Sequence, residues 1–238
     1  MARRAVQRVV QETLKRGADY LPEVVEPLTD PTAKAWLDSL TTRNGLSVHA
    51  MHFVFACGPW LPKLFPNLLK DRIQPTRQEV FFFGVDPGDR RFAPPLMPAW
   101  IDVGDETYGI PDLENRGVKI APDRHGPLFD PDRGERVVTP EGQRAARQFL
   151  AQRFPALRDA PLLETRVCQY ENTSNGDFLI DRHPAFDNVW LVGGGSGHGF
   201  KHGPALGEYV AARVAEGGAI EPRFTLATKA QVRKRTVF

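Results

Sequence analysis

Apolar residues near the start of the chain recur at helical spacing. The four that share one side of a helix are Val6, Val9, Val10 and Leu14. Gly17 follows them and is a suitable C-cap, because glycine adopts the left-handed backbone conformation that often ends a helix. The pattern predicts that the chain opens with an amphipathic helix.

A second helix is expected over the segment TPEGQRAARQFLAQRF. Thr139 is a suitable N-cap, and Pro140 suits the first helical position because its N–H would have no partner there. The residues expected on the apolar side are Phe149, Leu150 and Phe154.

Short apolar runs bounded by turn residues predict strands. AWLDSL and LSVHAMHFVFAC flank TTRNG, in which Asn44 and Gly45 form a strong two-residue turn signal, so we expect a hairpin whose second strand is long and partly buried. Between about Arg72 and Glu164 the runs QEVFFFGV, AWIDVG, ETYGIP and GVKIA are separated by Pro, Gly and Asp. This spacing is typical of an antiparallel sheet.

A glycine-rich segment separates a predicted buried strand from a predicted helix. NVWLV is followed by GGGSGHGFKHGP and then by ALGEYVAARVAEGG. A strand, glycine turn and helix N-terminus present backbone N–H groups and a positive dipole end, which suit an anion or an electron-rich ring atom. The dinucleotide fingerprint GxGxxG is absent, because Gly193 and Gly195 lead to His198, and Gly195 and Gly197 lead to Phe200.

The same segment allows other interpretations. The glycines can serve close packing of strand and helix. His198 and His202 are four residues apart, but the glutamate of HExxH is missing and no third ligand is evident, so we expect no metal site. Lys201 would oppose the dipole in the first turn of a helix, which points to an anionic partner. Cys168 can be a small buried hydrophobe.

Two further segments have recognisable local patterns. ACGPWLPKLF repeats the order of strand, glycine and helix on a smaller scale, with Pro59 suited to a first helical turn. DPDRGE, residues 130–135, lacks the order of a calcium loop and is expected to be a loop or turn. The chain is therefore expected to be α/β (α+β), with an antiparallel central part inserted between pieces built of strand, glycine turn and helix.

Composition and charge narrow the function classes. The 238 residues are 41% hydrophobic and 25% charged, as in an ordinary globular protein. The net charge of +2 provides no strong basic field, and the basic tail KAQVRKRTVF is short and expected to be solvated, so nucleic-acid binding is not expected. No apolar segment approaches the ~20 residues that span a bilayer, and the start MARRAVQRVVQETLKRG lacks the apolar block of a signal peptide.

These observations predict a cytoplasmic protein without a membrane segment. The chain has two cysteines, Cys57 and Cys168, which are too few for a disulfide framework and lack CxxC spacing.

The C-terminal third resembles a known family. RVCQYENTSNGDFLIDRHPAFDNVWLVGGGSGHGFKHGPALGEYVAARV is similar to the last block of the FAD-dependent amine oxidases related to monomeric sarcosine oxidase, N-methyltryptophan oxidase and pipecolate oxidase, in the D-amino-acid oxidase superfamily. The similar features are the C-x-Y turn, the IDRHP corner and SGHGFK after a strand. Weaker similarity extends upstream through GVKIA, YGIP, QPTRQEVFFF and FACGPW.

The resemblance implies a fold and its domain limits. It implies an FAD-binding Rossmann-like domain of glutathione-reductase type, incomplete here, with an inserted antiparallel-sheet substrate domain. Residues 1–72 and 165–238 would belong to the FAD-binding domain, and residues 73–164 to the substrate domain. The family begins with a GxGxxG unit that this chain lacks, so by motif order the chain corresponds to roughly the last three-fifths of such an enzyme and is expected to be N-terminally incomplete.

The resemblance also implies contacts to FAD. The family cysteine that can attach to the flavin 8-methyl group corresponds to Cys168, whose thiolate would be the nucleophile. Gly58 and Trp60 match a second FAD-contacting turn. GHGFK, residues 197–201, resembles the segment under the pyrimidine edge of the flavin, where N–H groups stabilise negative charge on the ring. The FAD contacts implied for this part of the chain are Gly194, Gly195, Ser196, Gly197, Gly199, Phe200 and Lys201.

Substrate-side roles follow from the same resemblance. Lys201 matches the lysine that holds the substrate carboxylate, and His198 lines the same pocket. Lys119 matches the lysine beside flavin N5 that is credited with activating oxygen. Tyr108 and Tyr170 match active-site tyrosines near the substrate.

At one position the chain differs from the family, which has a histidine soon after the oxygen-side lysine. Asp123 occupies that position here, and His125 follows two residues later.

The function implied is oxidation of the C–N bond of a carboxylate-bearing amine or amino acid, with FAD as cofactor and oxygen or another electron acceptor. An alternative is a non-catalytic remnant or partner subunit that completes a flavin site with a second chain. A third is a metal-dependent enzyme that uses His198 and His202.

Overall fold

A computed structural model describes residues 1–230, and the part of the basic tail beyond them, residues 231–238, lies outside the described residues. The α-helices are α1 (Ala2–Lys15), α2 (Leu61–Leu64), α3 (Pro66–Leu69), α4 (Pro140–Arg153) and α5 (Gly203–Glu216). The strands are β1 (Ser39–Thr41), β2 (Ser47–His49), β3 (Phe53–Phe55), β4 (Ile73–Phe83), β5 (Trp100–Asp102), β6 (Thr107–Ile110), β7 (Val118–Pro122), β8 (Leu162–Thr173), β9 (Leu179–Arg182) and β10 (Val189–Gly193).

The central part is an antiparallel sheet, as its turn-separated strand pattern predicts. Its order is β5-β6-β7-β4-β8, and every neighbouring pair is antiparallel. The long strand β4 pairs with β8 from Ile73 opposite Thr173 to Phe83 opposite Leu162. Along β4, alternate residues face opposite sides, and Phe81 and Phe83 are fully buried on the side that packs against α4.

Helix α4 begins where the sequence predicts. The Thr139 hydroxyl accepts the Gly142 N–H at 3.0 Å, which confirms the N-cap, and Pro140 is the first helical residue. Phe149 and Leu150 are buried against the five-stranded sheet. Gly142 packs closely on Glu79, because a Cβ at this position would lie 1.7 Å from Oε2 of Glu79 and that side chain would have to shift.

A second sheet carries the two segments in which a glycine turn separates a strand from a helix. Its order is β3-β10-β9, with β10 parallel to β3 and antiparallel to β9. A turn and α2 follow β3, and a glycine-rich turn and α5 follow β10. The apolar cluster on this sheet includes Phe53, Leu61, Leu179 and Leu191, all buried. This combination of sheets and helices confirms the α/β (α+β) class.

The hairpin prediction is confirmed, but the prediction of a long second strand is wrong. β1 and β2 pair antiparallel, with Ser39 opposite His49 and Gly45 in the turn at φ 82°. The second strand ends at His49, and after a bend the chain enters β3, which belongs to the other sheet. The run LSVHAMHFVFAC is therefore two strands that pair with different partners.

Helix α1 forms as predicted, yet none of its residues is buried. Val6 and Val9 are 52% and 65% exposed, and Arg4 pairs with Glu114 across the surface. Gly17 has φ 88° directly after the last turn, as its C-capping role predicts. The apolar side of α1 faces solvent in the described part of the chain.

Strand β8 crosses the predicted limit between residues 164 and 165. It starts at Leu162 and pairs with β4 along its whole length, so Cys168 lies in the five-stranded sheet. The other predicted limit, between residues 72 and 73, falls at the start of β4. The division into domains stays a prediction.

The basic tail begins with a residue that is not solvated. Lys229 is only 2% exposed, and its ammonium donates to the backbone oxygen of Arg223 at 2.6 Å and to the Thr228 hydroxyl at 3.1 Å. Burial lowers the pKa of Lys229 to about 8, despite the opposing charge of Asp177. The expectation of a solvated tail is therefore wrong for its first residue, because the chain folds back onto its own backbone there.

Candidate functional site

Four of the predicted site residues lie on one face of the five-stranded sheet. In β8, Cys168 and Tyr170 are two residues apart and both point to the side opposite α4. Their pairing with Gln78 and Thr76 of β4 shows this orientation. Lys119 of β7 pairs with Phe82 and shares this side. Tyr108 of β6 pairs with Ala121, which has the same orientation as Lys119, so Tyr108 lies there too. We call this surface the tyrosine face.

Lys119 and Tyr108 contact each other directly on the tyrosine face. The Lys119 ammonium donates to the Tyr108 hydroxyl at 2.7 Å and lies 4.3 Å from the centre of the Tyr108 ring. Both side chains are half-buried, so the hydrogen bond and the ring hold the cation in place without removing it fully from water. A cation held in this way can stabilise negative charge that develops beside it.

Tyr170 is buried, and its hydroxyl donates to the Asp123 carboxylate at 2.9 Å. Burial raises the pKa of Tyr170, and the neighbouring Tyr108 and Asp123 raise it further, so the hydroxyl stays protonated as a donor. Asp123 is itself only 8% exposed. Sequence reasoning marked Asp123 as a departure from the family pattern, and the structure shows that it is the partner of a site tyrosine.

The glycine turn, which we define as residues 193–199, packs closely on β8. A Cβ at Gly197, which has φ 84°, would lie 2.5 Å from the Tyr170 ring. A Cβ at Gly194, which has φ 71°, would lie 2.6 Å from the Thr173 methyl group. Ser196 is buried, and its hydroxyl lies 3.2 Å from both the Thr173 N–H and the Gly194 carbonyl oxygen. Close packing therefore explains Gly194 and Gly197, and it places the glycine turn against the tyrosine face.

Glu171, which sequence reasoning did not single out, joins the glycine turn to β8. Its Oε1 accepts the Gly195 N–H at 3.1 Å, and its backbone oxygen accepts the Ser196 N–H at 3.2 Å. Its other carboxyl oxygen, Oε2, is buried without a hydrogen-bond partner among residues 1–230. Burial raises the pKa of Glu171 against the lowering effect of the Gly195 and Gly194 N–H groups. No local pattern in CQYENT marks this residue, because its partners are more than 20 positions away.

Lys201 lies in a short 3-10 turn, Gly199–His202, and not in the first turn of α5, which begins at Gly203. Lys201 and Phe200 are exposed beyond the glycine turn. His198 and His202 instead lie against the Phe178 ring, with ring centres 5.8 and 5.7 Å from it.

The turn after β3, residues 57–60, carries Gly58 and Trp60, and we call it the Gly58 turn. Gly58 has φ 53°, and a Cβ there would have no atom within 4 Å, so its backbone faces open space. The Trp60 indole N–H donates to Asp132 at 2.7 Å. Lys63 in α2 contacts Asp130 and Asp132 at 2.6 and 2.5 Å.

The Lys63 ammonium and two backbone N–H groups lower the pKa of Asp130 to about 2. DPDRGE is thus the turn that the sequence predicts, and it is joined to the Gly58 turn.

Both cysteines are free thiols. Cys168 is exposed on the tyrosine face, so its interpretation as a small buried hydrophobe is wrong. Cys57 is half-buried at the Gly58 turn, where burial and the charge of Glu171 raise the pKa of its thiol.

A cavity of about 560 Å³ lies on the other side of the five-stranded sheet, between β4 and α4. Its lining includes Arg77, Glu79 and Phe149 but none of the predicted site residues. The candidate site is therefore the open tyrosine face with its two turns, and not this cavity.

The residues present fit a flavin on three observations. The backbone at Gly58 faces open space, which leaves room for a flavin to approach it. Cys168 exposes its thiol on the tyrosine face. Oε2 of Glu171 is a buried polar atom with no partner in the described chain, between the glycine turn and the Gly58 turn.

Among curated proteins, this chain is similar in sequence to several amine oxidases. The chain is 33% identical over 189 residues to monomeric sarcosine oxidase of Bacillus sp. (strain NS-129), which covers 78% of this chain and 48% of the relative. It is 32% identical over 184 residues to N-methyl-L-tryptophan oxidase of Salmonella agona (strain SL483), covering 73% and 45%. The chain thus spans about half the length of the curated relatives it matches.

Solved structures share the fold. A thermally stable mutant of fructosyl peptide oxidase matches with a TM-score of 0.80 at 20% identity, over 97% of this chain and 58% of that protein. Amadoriase I of Aspergillus fumigatus, a fructosyl amine:oxygen oxidoreductase, matches with a TM-score of 0.69 at 22% identity, over 85% and 48%. A model of the family DAO, FAD dependent oxidoreductase, matches residues 2–213. Because that match covers most of the sequence, the chain belongs to the DAO family of FAD-dependent oxidoreductases.

Proposed function

We propose that the protein is an FAD-dependent oxidoreductase that oxidises the C–N bond of an amine or amino acid bearing a carboxylate. The observation that carries this proposal is the tyrosine face, where Tyr108, Lys119, Cys168 and Tyr170 lie together and Gly197 packs on Tyr170. FAD, when bound, supplies a ring that accepts a hydride from the substrate carbon and passes the electrons to an acceptor, which we propose is oxygen.

The chain would hold FAD at its two turns and on the tyrosine face. The Gly58 turn, with Gly58 and Trp60, offers bare backbone and an exposed indole. The glycine turn, with Gly195, Ser196 and Gly199, lies on the N-terminal side of α5 and would contact the flavin through its backbone.

The substrate roles follow from charge and position. Lys201 is an exposed cation beside the glycine turn and would bind the substrate carboxylate. Lys119, held by Tyr108, would stabilise negative charge on the acceptor side. The hydroxyls of Tyr108 and Tyr170 would orient the amine, and His198 would line the same pocket. The Asp123 carboxylate, which accepts the hydrogen bond from the Tyr170 hydroxyl, would attract a cationic amine.

The named relatives supply a substrate panel. Sarcosine and N-methyl-L-tryptophan are carboxylate-bearing secondary amines. In fructosyl amines the amine nitrogen likewise carries a carbon substituent, the sugar. We propose that the substrate is a secondary amine of this kind. The cytoplasmic location expected from the sequence stays a prediction, and none of the helices in residues 1–230 has the length and apolar character needed to cross a membrane.

Replacing Lys201 by alanine in the FAD-loaded protein is expected to raise KM for a carboxylate-bearing amine by about tenfold to a hundredfold, the effect of losing a charge-assisted hydrogen bond. Sarcosine and its methyl ester are compared by oxygen consumption. The ester lacks the carboxylate charge, so its KM should change little.

A Lys201→Arg variant, which keeps the charge, is expected to retain part of the affinity. Equal loss for sarcosine and its ester would contradict the carboxylate role of Lys201, while loss of neither would contradict its place in the site.

Cys168 is expected to carry the flavin covalently. We expect yellow colour to remain with the protein after acid precipitation, with the added mass on the Cys168 peptide. In the same digest the Cys57 peptide serves as an internal reference and should be unmodified, because burial and Glu171 disfavour its thiolate. Colour that leaves with the supernatant, or that persists in Cys168→Ser, would contradict the covalent link.

A second candidate function is a subunit that completes a flavin site with another polypeptide. Two observations favour it: β3 is an edge strand with Val54 45% exposed, and Val6 and Val9 of α1 face solvent. Copurification of an FAD-binding polypeptide that dissociates when Val54 is replaced by lysine would support this candidate. A flavin-loaded monomer would contradict it.

A further inference from the structure

Glu171 brings a carboxyl group to the junction of the two turns. From the glycine turn it faces the N–H groups of Gly195 and Gly194, and a Cβ at Gly193 would lie 3.0 Å from its Oε2. The same added Cβ at Gly193 would lie 2.4 Å from a Leu61 methyl group of α2, so the carboxyl group lies beside that helix. Its charge also acts on the Cys57 thiol of the Gly58 turn, which raises the pKa of that thiol.

The two carboxyl oxygens of Glu171 have different roles. Oε1 accepts a backbone hydrogen bond that holds the glycine turn. Oε2 is buried and unpaired in the described chain. A buried polar atom without a partner is costly, so the unpaired Oε2 points to a partner supplied by a ligand. The groups around it are N–H donors, an apolar side chain and a thiol, none of which carries a positive charge, and burial disfavours a negative charge on Glu171.

Resting on the function proposed above, we propose that Glu171 is a positioning residue for the flavin: in its protonated form, Oε1 holds the glycine turn and the Oε2 hydroxyl donates a hydrogen bond to an acceptor atom of the bound flavin. A protonated carboxyl can donate, whereas a carboxylate can only accept. An ionised Glu171 would place negative charge beside the electron-rich edge of the ring and would repel it.

The sign of the pH dependence follows from this assignment. Burial raises the pKa of Glu171, so the protonated form persists to higher pH than in an exposed glutamate. FAD affinity should be constant below this titration and should fall as the pH rises through it. Loss of one hydrogen bond, with added repulsion, predicts a decrease of about tenfold.

The experiment measures FAD binding to the full chain by flavin fluorescence from about pH 5 to about pH 8.5, a range that lies above the ordinary pKa of a glutamate, about 4.3. Glu171→Gln keeps an acceptor at Oε1 and replaces the hydroxyl by an amide donor, so its affinity should not depend on pH in this way. Glu171→Ala should bind weakly at every pH. Glu208→Gln, at an exposed position of α5, is the matched control and should follow the unchanged chain.

A second readout needs no flavin. Alkylation of Cys57, measured above the pH at which FAD affinity falls, should be faster in Glu171→Gln, because the ionised carboxylate that raises the pKa of the thiol is gone. The exposed Cys168, followed in the same digest, should react at an unchanged rate.

The outcomes separate the two proposals. If the chain binds FAD and Glu171→Gln shows the pH profile of the unchanged chain, the Glu171 assignment is wrong and the proposed function stands. If the unchanged chain binds no FAD at any pH, the proposed function of this chain and the Glu171 assignment both fail. If Cys57 alkylation does not change even above the pH at which FAD affinity falls, no ionised carboxylate acts on the thiol there and the assignment is overturned.

Discussion

Replacing Glu79 by alanine is expected to lower the free energy of unfolding by about 3–5 kcal/mol, because it leaves the largely desolvated positive charge of Arg77 without its carboxylate partner. Glu79 Oε1 lies 2.5 Å from an Arg77 guanidinium nitrogen and accepts the Thr139 N–H at 2.7 Å. Oε2 accepts the Thr139 hydroxyl at 3.1 Å. The Arg77 and Glu79 side chains are only 14% and 11% exposed, so water replaces the carboxylate poorly. Urea unfolding followed by circular dichroism measures the loss.

The matched control is Glu141→Ala in the first turn of α4. Its side chain is 75% exposed and pairs with Arg144 on the surface, so the expected loss is about 0.5 kcal/mol. Replacing Arg77 and Glu79 together by methionine should cost less than Glu79→Ala, because no unpaired charge is left behind. A Glu79→Ala variant as stable as Glu141→Ala would contradict the view that this pair anchors α4.

Replacing Gly197 by alanine is expected to weaken FAD binding at least tenfold and to lower the free energy of unfolding by about 1–3 kcal/mol. The backbone at Gly197 has φ 84°, and the added Cβ would lie 2.5 Å from the Tyr170 ring. Tyr170 cannot yield without disturbing its 2.9 Å hydrogen bond to buried Asp123. The glycine turn must therefore shift away from the tyrosine face. Flavin fluorescence and urea unfolding measure the two effects.

Gly207→Ala is the control for this prediction. Gly207 lies inside α5 with open space around its Cα, so alanine should raise the free energy of unfolding by up to about 1 kcal/mol and leave FAD affinity unchanged. If Gly197→Ala bound FAD as Gly207→Ala does, the contact between the glycine turn and Tyr170 would not organise the site.

Much of the fold followed from local pattern. The strands of the central sheet, the Asn44-Gly45 hairpin and α4 with its Thr139 cap each depend on residues close together in the sequence. The prediction of a long second strand in the hairpin is wrong, because apolar alternation continues through LSVHAMHFVFAC while the pairing partners change. A strand pattern indicates burial on one face, and it carries no information on which sheet supplies the neighbour.

The sequence by itself determined the α/β class, the alternating faces of β8, the glycine turn and the motifs that mark the DAO family. Only the tertiary structure decided how these features combine. Tyr170 donates to Asp123 across 47 positions, and Glu171 accepts from Gly195 across 24. Both contacts depend on how the five-stranded sheet meets the glycine turn of the other sheet. Local propensity acts over a few residues, whereas burial, pKa and hydrogen-bond partners depend on neighbours that only chain folding brings together.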